Sequence, residues 1–507
     1  MTILYNFNDL NRFGYFVLHM LQFFNKKLSN QNLLHYCILS VLIYLTVFLK
    51  LGAFHMRWWD ESMFAVNAYE MIENGKMFSL YFDGSPDLFN TKPPLTVWSQ
   101  VLFIKLLGYN ELAIRLPSAL ATALIVLTLF HFVSKYFNRN WAWISSLILL
   151  TSTGFIGFHT GRTGDSDALL TLFLFLANLE FLKFILNEQK KHLLWFFLFI
   201  TLAFATKLYA ALLFAPAYFI LLLVFRKFKR FIFNVQFTVG ILFFLFVSGF
   251  IIYLRELDSN GYIDIILGKD VGRIFSIVEG HSGSWSFYLE SLSKERFSSW
   301  FIPLIAGAFL NIYNPHEQQK KIIFSSVGLI VVYLLIVSIS TTKLEWYDMP
   351  LYPYMALVAS YSIYLLYKKT QISLQKNTVL VSSSFLLLLF IFPYYLMFSK
   401  SQSNRIPDGQ RFHEGKEMYL FSRIKSGENL DRLHVYHDDY GGSLLFYKYK
   451  LRENRQDIET TNQIDFQVDD KVLLNSSHVR KIETKYNFSV IDSTEFVKVV
   501  VINKKLE

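Results

Sequence analysis

Apolar runs of about 20 residues recur along the chain, and each is long enough to cross a hydrocarbon core of about 30 Å. Inside such a core every backbone N–H and C=O needs a protein partner, which leaves helices or a closed barrel. The runs are continuous, not alternating, so they are read as helices. They fall near 34–54, 113–134, 141–158, 167–186, 193–206, 208–225, 231–253, 298–313, 322–340, 350–367 and 377–398. The reading is a polytopic α-helical membrane protein with about eleven spans. Several runs are short or broken by Pro, which suits helices packed in a bundle. Of the 507 residues, 53% are hydrophobic, more than a soluble core of this size requires. The net charge of +10 is then a topology or lipid signal, and nucleic acid is a poor partner for it. The only cysteine, Cys37, lies in the first run, so no disulfide can form within the chain. The first residues lack the layout of a signal peptide.

Lysine and arginine set the sidedness. With the N-terminus inside, Lys135, Arg139, Lys190, Lys191, Arg226, Lys227, Lys229, Arg230, Lys320, Lys321, Lys368, Lys369 and Lys376 all fall in short inner loops. The outer face then receives 55–112, 159–166, the 206–207 corner, 254–297, 341–349 and the tail. The domain reading is a cytoplasmic segment 1–33, a membrane domain 34–398 with long outer loops 55–112 and 254–297, and a small extracytoplasmic α/β domain 399–507. In that tail "RLHVYH", "DKVLLN" and "FVKVVVINK" read as short strands, and "GKEMYLFSRIKSG" as a helix ended by Gly427. Irregular backbone is excluded from lipid but allowed at the surface, so function is expected on this outer face.

The first outer loop opens with "RWWDESMF" (57–64). The stretch that follows is too short to span and is read as an amphipathic helix in the outer interface, stopped by Gly75. Asp60 fits its N-cap, which is the structural explanation. Glu61 is not needed for a cap, and two adjacent carboxylates repel and cost desolvation. A second acidic motif, "HTGRTGDSDALL" (159–170), holds Asp165 and Asp167, with Arg162 one turn back. Its structural explanation is an N-cap plus a local salt bridge.

Cations share this face. In "FNTKPPLTVW" (89–98) Pro93 and Pro94 stiffen the chain after Lys92. Lys92 is either a snorkelling lysine or a cation held out for a phosphate. In "STTKLEWYDMPLYP" (340–353) Lys343 and Tyr347 are i, i+4 neighbours, and an aromatic belt explains Trp346 and Tyr347 but not Lys343. Lys207 occupies another outer corner, and Arg115 enters the second span from outside. Two carboxylate clusters and several cations around one outer cavity suit an enzyme acting on a lipid-linked phosphate.

In this order the motifs resemble membrane glycosyltransferases of the GT-C fold that use polyprenyl-phosphate sugars: aminoarabinose lipid A transferases and family 39-like protein O-mannosyltransferases. The resemblance covers about residues 33–400: an acidic pair in the first outer loop, Lys-Pro-Pro, Arg-Leu-Pro-Ser-Ala, a second acidic motif, and Lys-x-x-x-Tyr-x-x-Pro-x-x-Pro. It implies Asp60 as the central acidic residue, with Glu61, Asp165 or Asp167 assisting. Lys92, Arg115, Arg162, Lys207, Lys343 and Tyr347 become candidates for donor phosphate or acceptor, as do Arg273 and His281 in the 271–289 loop, where a lone His reads equally as a loop hydrogen-bonder. Some relatives place an acidic metal ligand before Lys-Pro-Pro. Here that residue is Thr91, which argues against a metal site without excluding a divalent cation, and no other cofactor is implied. The implied reaction moves a sugar, with inversion, from undecaprenyl phosphate to lipid A phosphate or a protein hydroxyl. The implied setting is a bacterial inner membrane, with a monomer whose active site faces the periplasm. No nucleotide-binding signature is present.

The rival reading is an ion-coupled transporter or lipid flippase. Such proteins keep ionisable groups near the midplane and often carry inverted repeats. No repeat is found, and Glu180 and Lys183 are the mid-span exceptions to acidic groups at one rim.

Overall fold

The computed structural model describes residues 30–157, 159–272, 276–277, 280–373, 378–403, 414–438 and 440–506. It forms two compact units, Met1–Leu45 and Thr46–Glu507. The described part of the first is a helix, α1 (Asn30–Ile43), with Cys37 exposed on it.

Helices occupy every run expected to be apolar. Among the described residues, six are long and apolar enough to cross a membrane: Glu111–Tyr136, Asp167–Asn187, Lys191–Leu212, Val235–Asp258, Glu317–Ile339 and Ser384–Gln402. The 141–158 run is the weakest match. Its helix stops at Leu150, where Thr151 and Ser152 turn their hydroxyls back onto the preceding carbonyls.

The helix expected after Asp60 is α2 (Asp60–Asn74), and Gly75 ends it with φ 71°, a conformation glycine adopts without strain. Its surroundings differ from those expected. Met63 through Ala68 are consecutively buried, so both faces of the helix are covered. A helix lying on lipid would leave one face wet. Here one hydrophobic cluster joins Phe64, Val97 and Ile114 to Leu420, Leu444, Phe446 and Val499 of the tail. The tail is packed over α2.

The first long loop carries a two-stranded hairpin, β1 (Tyr81–Phe82) with β2 (Ser85–Pro86). The tail is the mixed α/β layer expected, with a five-stranded sheet in the order Glu459–Thr461, Leu433–Tyr436, Lys471–Asn475, Val497–Lys505, Tyr486–Ser493. The "RLHVYH", "DKVLLN" and "FVKVVVINK" segments form β3 (Leu433–Tyr436), β5 (Lys471–Asn475) and β7 (Val497–Lys505). β4 (Glu459–Thr461) and β6 (Tyr486–Ser493) are the edge strands. Strands β3 and β5 run parallel, whereas β7 is antiparallel to both β5 and β6. The expected helix spans Gly415–Ser426 and ends at Gly427 with φ 76°.

Polar contacts pin the tail to the first outer loop. Glu414 accepts from His55 Nε2 at 2.8 Å and from Arg57 at 3.0 Å. Tyr449 donates to Glu70 at 2.7 Å, and Lys450 reaches Glu111 at 2.6 Å.

Candidate active site

A cavity of about 700 Å³ opens where these outer segments meet. Asp60, Lys92, His159, Asp167, Lys207 and Glu414 are among its polar lining. Its apolar lining runs through Leu170, Leu208, Leu213, Ile336, Val337 and Ile339. Charged and apolar side chains thus share one cavity.

Three lining residues have left-handed backbones without being glycine: Trp59 (φ 80°), His159 (φ 55°) and Leu208 (φ 40°). Each such residue costs on the order of 1–3 kcal/mol and persists only where its surroundings over-determine it. Each also aims a site group: Trp59 immediately precedes Asp60, and Leu208 follows Lys207. The turn at Trp59 also corrects the capping expectation. Trp59, not Asp60, takes the cap position, without a side-chain cap bond, and Asp60 is the first helical residue.

Asp60 is the most exposed of the acidic groups in the lining, with its side chain 19% accessible against 5% for Asp167 and 2% for Glu414. Lys92 Nζ stands 3.9 Å from Asp60 Oδ1 and lies over the Phe64 ring. His159 Nδ1 is 3.9 Å from Asp60 Oδ2 and 3.2 Å from Asp165 Oδ2, and its ring stacks on Trp346. Burial alone would lower the basicity of that ring. The charge and hydrogen bond of Asp165, with Asp60 and Asp167 nearby, outweigh it and raise the pKa above 6.5. Asp165 is buried and also accepts from Thr163 at 2.5 Å. Asp167 holds the Lys207 ammonium with both oxygens, at 2.7 and 2.8 Å. Lys207 in turn lies 5.1 Å from the centre of the Tyr347 ring.

Ligand atoms of Asp60, His159 and Asp165 lie within 4.8 Å of one another, a set able to hold a divalent cation. Asp165 Oδ1 is buried with no hydrogen-bond partner, which fits such an ion. The argument against a metal site rested on Thr91, which is not part of this set.

Other candidates lie elsewhere. Glu61 is outside the lining, paired with Arg115 at 2.7 and 2.9 Å. It also accepts the backbone N–H groups of Arg57 and Gly164, both at 2.8 Å. Burial would raise its pKa, but Arg115 and these bonds hold it below the ordinary 4.5. Glu61 and Arg115 therefore knot three segments together, and neither lines the cavity. Arg162 does not pair with Asp165 or Asp167; it donates to the carbonyls of Thr46, Val47 and Leu49. Lys343 is buried behind the wall, its ammonium on the Ser340 carbonyl and its backbone N–H on that of His281. His281 and Tyr347 line the cavity. Arg273 falls outside the described residues.

Sequence reasoning missed His159, Glu414 and Trp346 as site groups. His159 was inside a quoted motif, six residues before Asp165, and a titratable ring beside an acidic motif was the available signal. Glu414 carried no signal, because only the docking of the tail brings it to the cavity.

In structure the chain matches ArnT from Cupriavidus metallidurans, solved bound to undecaprenyl phosphate, with a TM-score of 0.68 at 15% identity over 92% of this chain and 97% of that one. The apo structure of the same protein gives 0.66 at 14% identity over the same shares. The chain has the GT-C fold. In sequence, residues 91–253 match the family model described as dolichyl-phosphate-mannose-protein mannosyltransferase. An uncharacterised Aquifex aeolicus protein is 25% identical over 59% of this chain and 58% of its own length. A Bacillus subtilis protein named "Putative mannosyltransferase YycA" is 29% identical over 28% of this chain and 20% of its own. The chain thus spans less than two thirds of either curated relative. The GT-C resemblance read from the motifs holds at the level of fold, and the family match begins at Thr91, beside Lys-Pro-Pro.

Proposed function

We propose that this protein is a membrane glycosyltransferase that takes a sugar from a polyprenyl-phosphate donor and passes it to an acceptor at the same rim. One observation carries this reading: a single cavity is lined both by charged groups, Asp60 and Lys92 among them, and by apolar side chains such as Leu170, Leu213 and Ile336. A polyprenyl phosphate has the same two-part chemistry. Lys92 and Lys207 stabilise the charge that builds on the departing phosphate. Lys207 shares its charge with Asp167, so Lys92 carries more of this task. Asp60 stands beside Lys92. It takes the proton of a hydroxyl acceptor as general base, or orients groups if the acceptor is a phosphate. His159 stands 3.9 Å from Asp60 and is itself paired with Asp165 at 3.2 Å. Attack opposite the leaving phosphate inverts the anomeric carbon. A cation bound by Asp60, His159 and Asp165 would add Lewis-acid stabilisation of the phosphate.

The acceptor is proposed to be a lipid A phosphate or a protein hydroxyl, and the site to face the periplasm of a bacterial inner membrane. The transporter alternative rested on Glu180 and Lys183. Glu180 is engaged by Lys183 at 2.5 Å and His192 at 2.6 Å, a self-neutralised cluster outside the cavity, which weighs against it. The test is mass spectrometry of lipid A and of glycoproteins from cells with and without the gene. Loss of one sugar mass from either pool is expected. Identical pools, with an altered flux of some solute, would favour a transporter.

A further inference from the structure

Lys92 owes its place to a loop that cannot satisfy its own backbone. Pro93 and Pro94 offer no N–H, so nearby carbonyls need donors from elsewhere. Those donors come from the far end of the helix Val235–Asp258. Arg255, fully buried, sends Nη1 to the Lys92 carbonyl at 2.5 Å and Nη2 to that of Asp87 at 2.9 Å; Nη2 also reaches the Asn90 carbonyl. Tyr262 donates its hydroxyl to the Thr91 carbonyl at 2.7 Å. Its ring lies beneath the guanidinium, 4.2 Å from centroid to Cζ. Tyr262 is itself presented by a turn whose Gly261 and Ile263 N–H groups bind the Glu256 carboxylate, at 2.8 and 2.7 Å.

An arginine near the end of a span ordinarily extends toward water. Turning it inward onto neutral carbonyls costs desolvation, offset in part by the aromatic face. The planar fork suits several carbonyls at once, which an ammonium does not. This contact grips the segment carrying Lys92 and comes from the start of the second long outer loop.

We propose that Arg255, assisted by Tyr262, is a positioning residue for Lys92: it fixes the backbone at 87–92 so that the ammonium meets the donor phosphate. The inference rests on the donor-site reading above. Arg255 lies outside the cavity lining and acts through Lys92 alone.

The test is a double-mutant cycle on the full chain in detergent, with undecaprenyl phosphate as the probe. Binding is followed by quenching of tryptophan fluorescence, since Trp58, Trp59 and Trp346 line the cavity. Lys92→Ala is expected to weaken binding about tenfold or more, as for one lost charge-assisted bond. Arg255→Gln should weaken it about fivefold, and Lys92→Ala with Arg255→Gln should bind about as Lys92→Ala alone, because contacting residues acting as a unit are not additive. Tyr262→Phe keeps the packed ring and loses only the hydroxyl. It should weaken binding about twofold, and that effect should also vanish in the Lys92→Ala background. Should Arg255→Gln fail to fold, the Tyr262→Phe cycle decides. Effects that multiply in the double variants, or wild-type binding by Arg255→Gln or Tyr262→Phe, overturn the positioning role and leave the donor site standing. Wild-type binding by Lys92→Ala overturns both.

Discussion

Asp60 and Glu61 are neighbours in the chain, yet their carboxylates meet different surroundings. Asp60 looks into the cavity; Glu61 is buried against Arg115. Their substitutions should therefore separate. Asp60→Asn is expected to lower transfer by about 10²–10⁴-fold, the range for a lost general base. Its partly exposed contacts with Lys92 and His159 limit the stability change to about 1 kcal/mol. Turnover assays beside thermal unfolding in detergent check this, and near-wild-type turnover at equal expression removes Asp60 from the chemistry. Glu61→Gln should instead destabilise by about 3–5 kcal/mol, because it strands a buried guanidinium. Replacing both partners together, Glu61→Leu with Arg115→Met, should recover much of that loss. A double variant as unstable as the single one would show that the pair's backbone bonds dominate. The acidic pair was visible in the sequence, but its division of labour was not. Which carboxylate turns toward Arg115 depends on the Trp59 backbone, and no residue type announces a left-handed tryptophan.

The contact between the tail and the first outer loop makes stability there depend on pH. Burial lowers the pKa of His55 below the ordinary 6.5, and the Glu414 contact only partly opposes that. The ring is thus neutral at pH 7, and its Nε2–H donates to the carboxylate. Burial would raise Glu414, but His55 and Arg57 outweigh it and hold it below 4.5. Both groups bind protons less tightly folded than unfolded, so both stabilise the contact above their unfolded values. The His55 contribution is complete above about pH 6.5 and is lost as pH falls through its depressed value. The Glu414 contribution is complete above about pH 4.5 and is lost further into acid. Melting wild type and Glu414→Gln from about pH 8 down to about pH 3 checks this. The gap should persist above about pH 4.5 and shrink only below it, as Glu414 takes up its proton; a gap unchanged down to about pH 3 would mean that Glu414 is not ionised in the contact. The helix Asp60–Asn74 was legible from its apolar spacing and Gly75. Its burial on both faces was not, since spacing reports one covered face and the second cover arrives from residues over 300 positions later.

Over the whole chain, the positive-inside pattern predicts that residues 399–507 lie outside the membrane. Alkaline phosphatase fused after Glu507 should be active and a green fluorescent reporter there dark. The reverse would overturn the topology, and with it the periplasmic setting. The same pattern gathered 55–112, 159–166 and the 206–207 corner on one face. The cavity joins residues from all three, together with 341–349.

Periodicity and charge are local properties, and what they govern was readable: helices along each apolar run, strands and a capped helix in the tail, and a rim that collects ionisable residues. Motif order carried the GT-C resemblance. Pairings were not readable, because they join residues far apart in the chain. Arg115 could have faced a phosphate as readily as Glu61, and Lys343 the cavity as readily as the Ser340 carbonyl. Only packing chose between them, by burying one charge beside its partner and leaving Asp60 and Lys92 in the cavity lining. Glu414 and Arg255 were unreadable for the same reason: a docked tail and a distant helix end bring them to the cavity and to the Lys92 loop, whereas His159 stood beside a legible acidic motif.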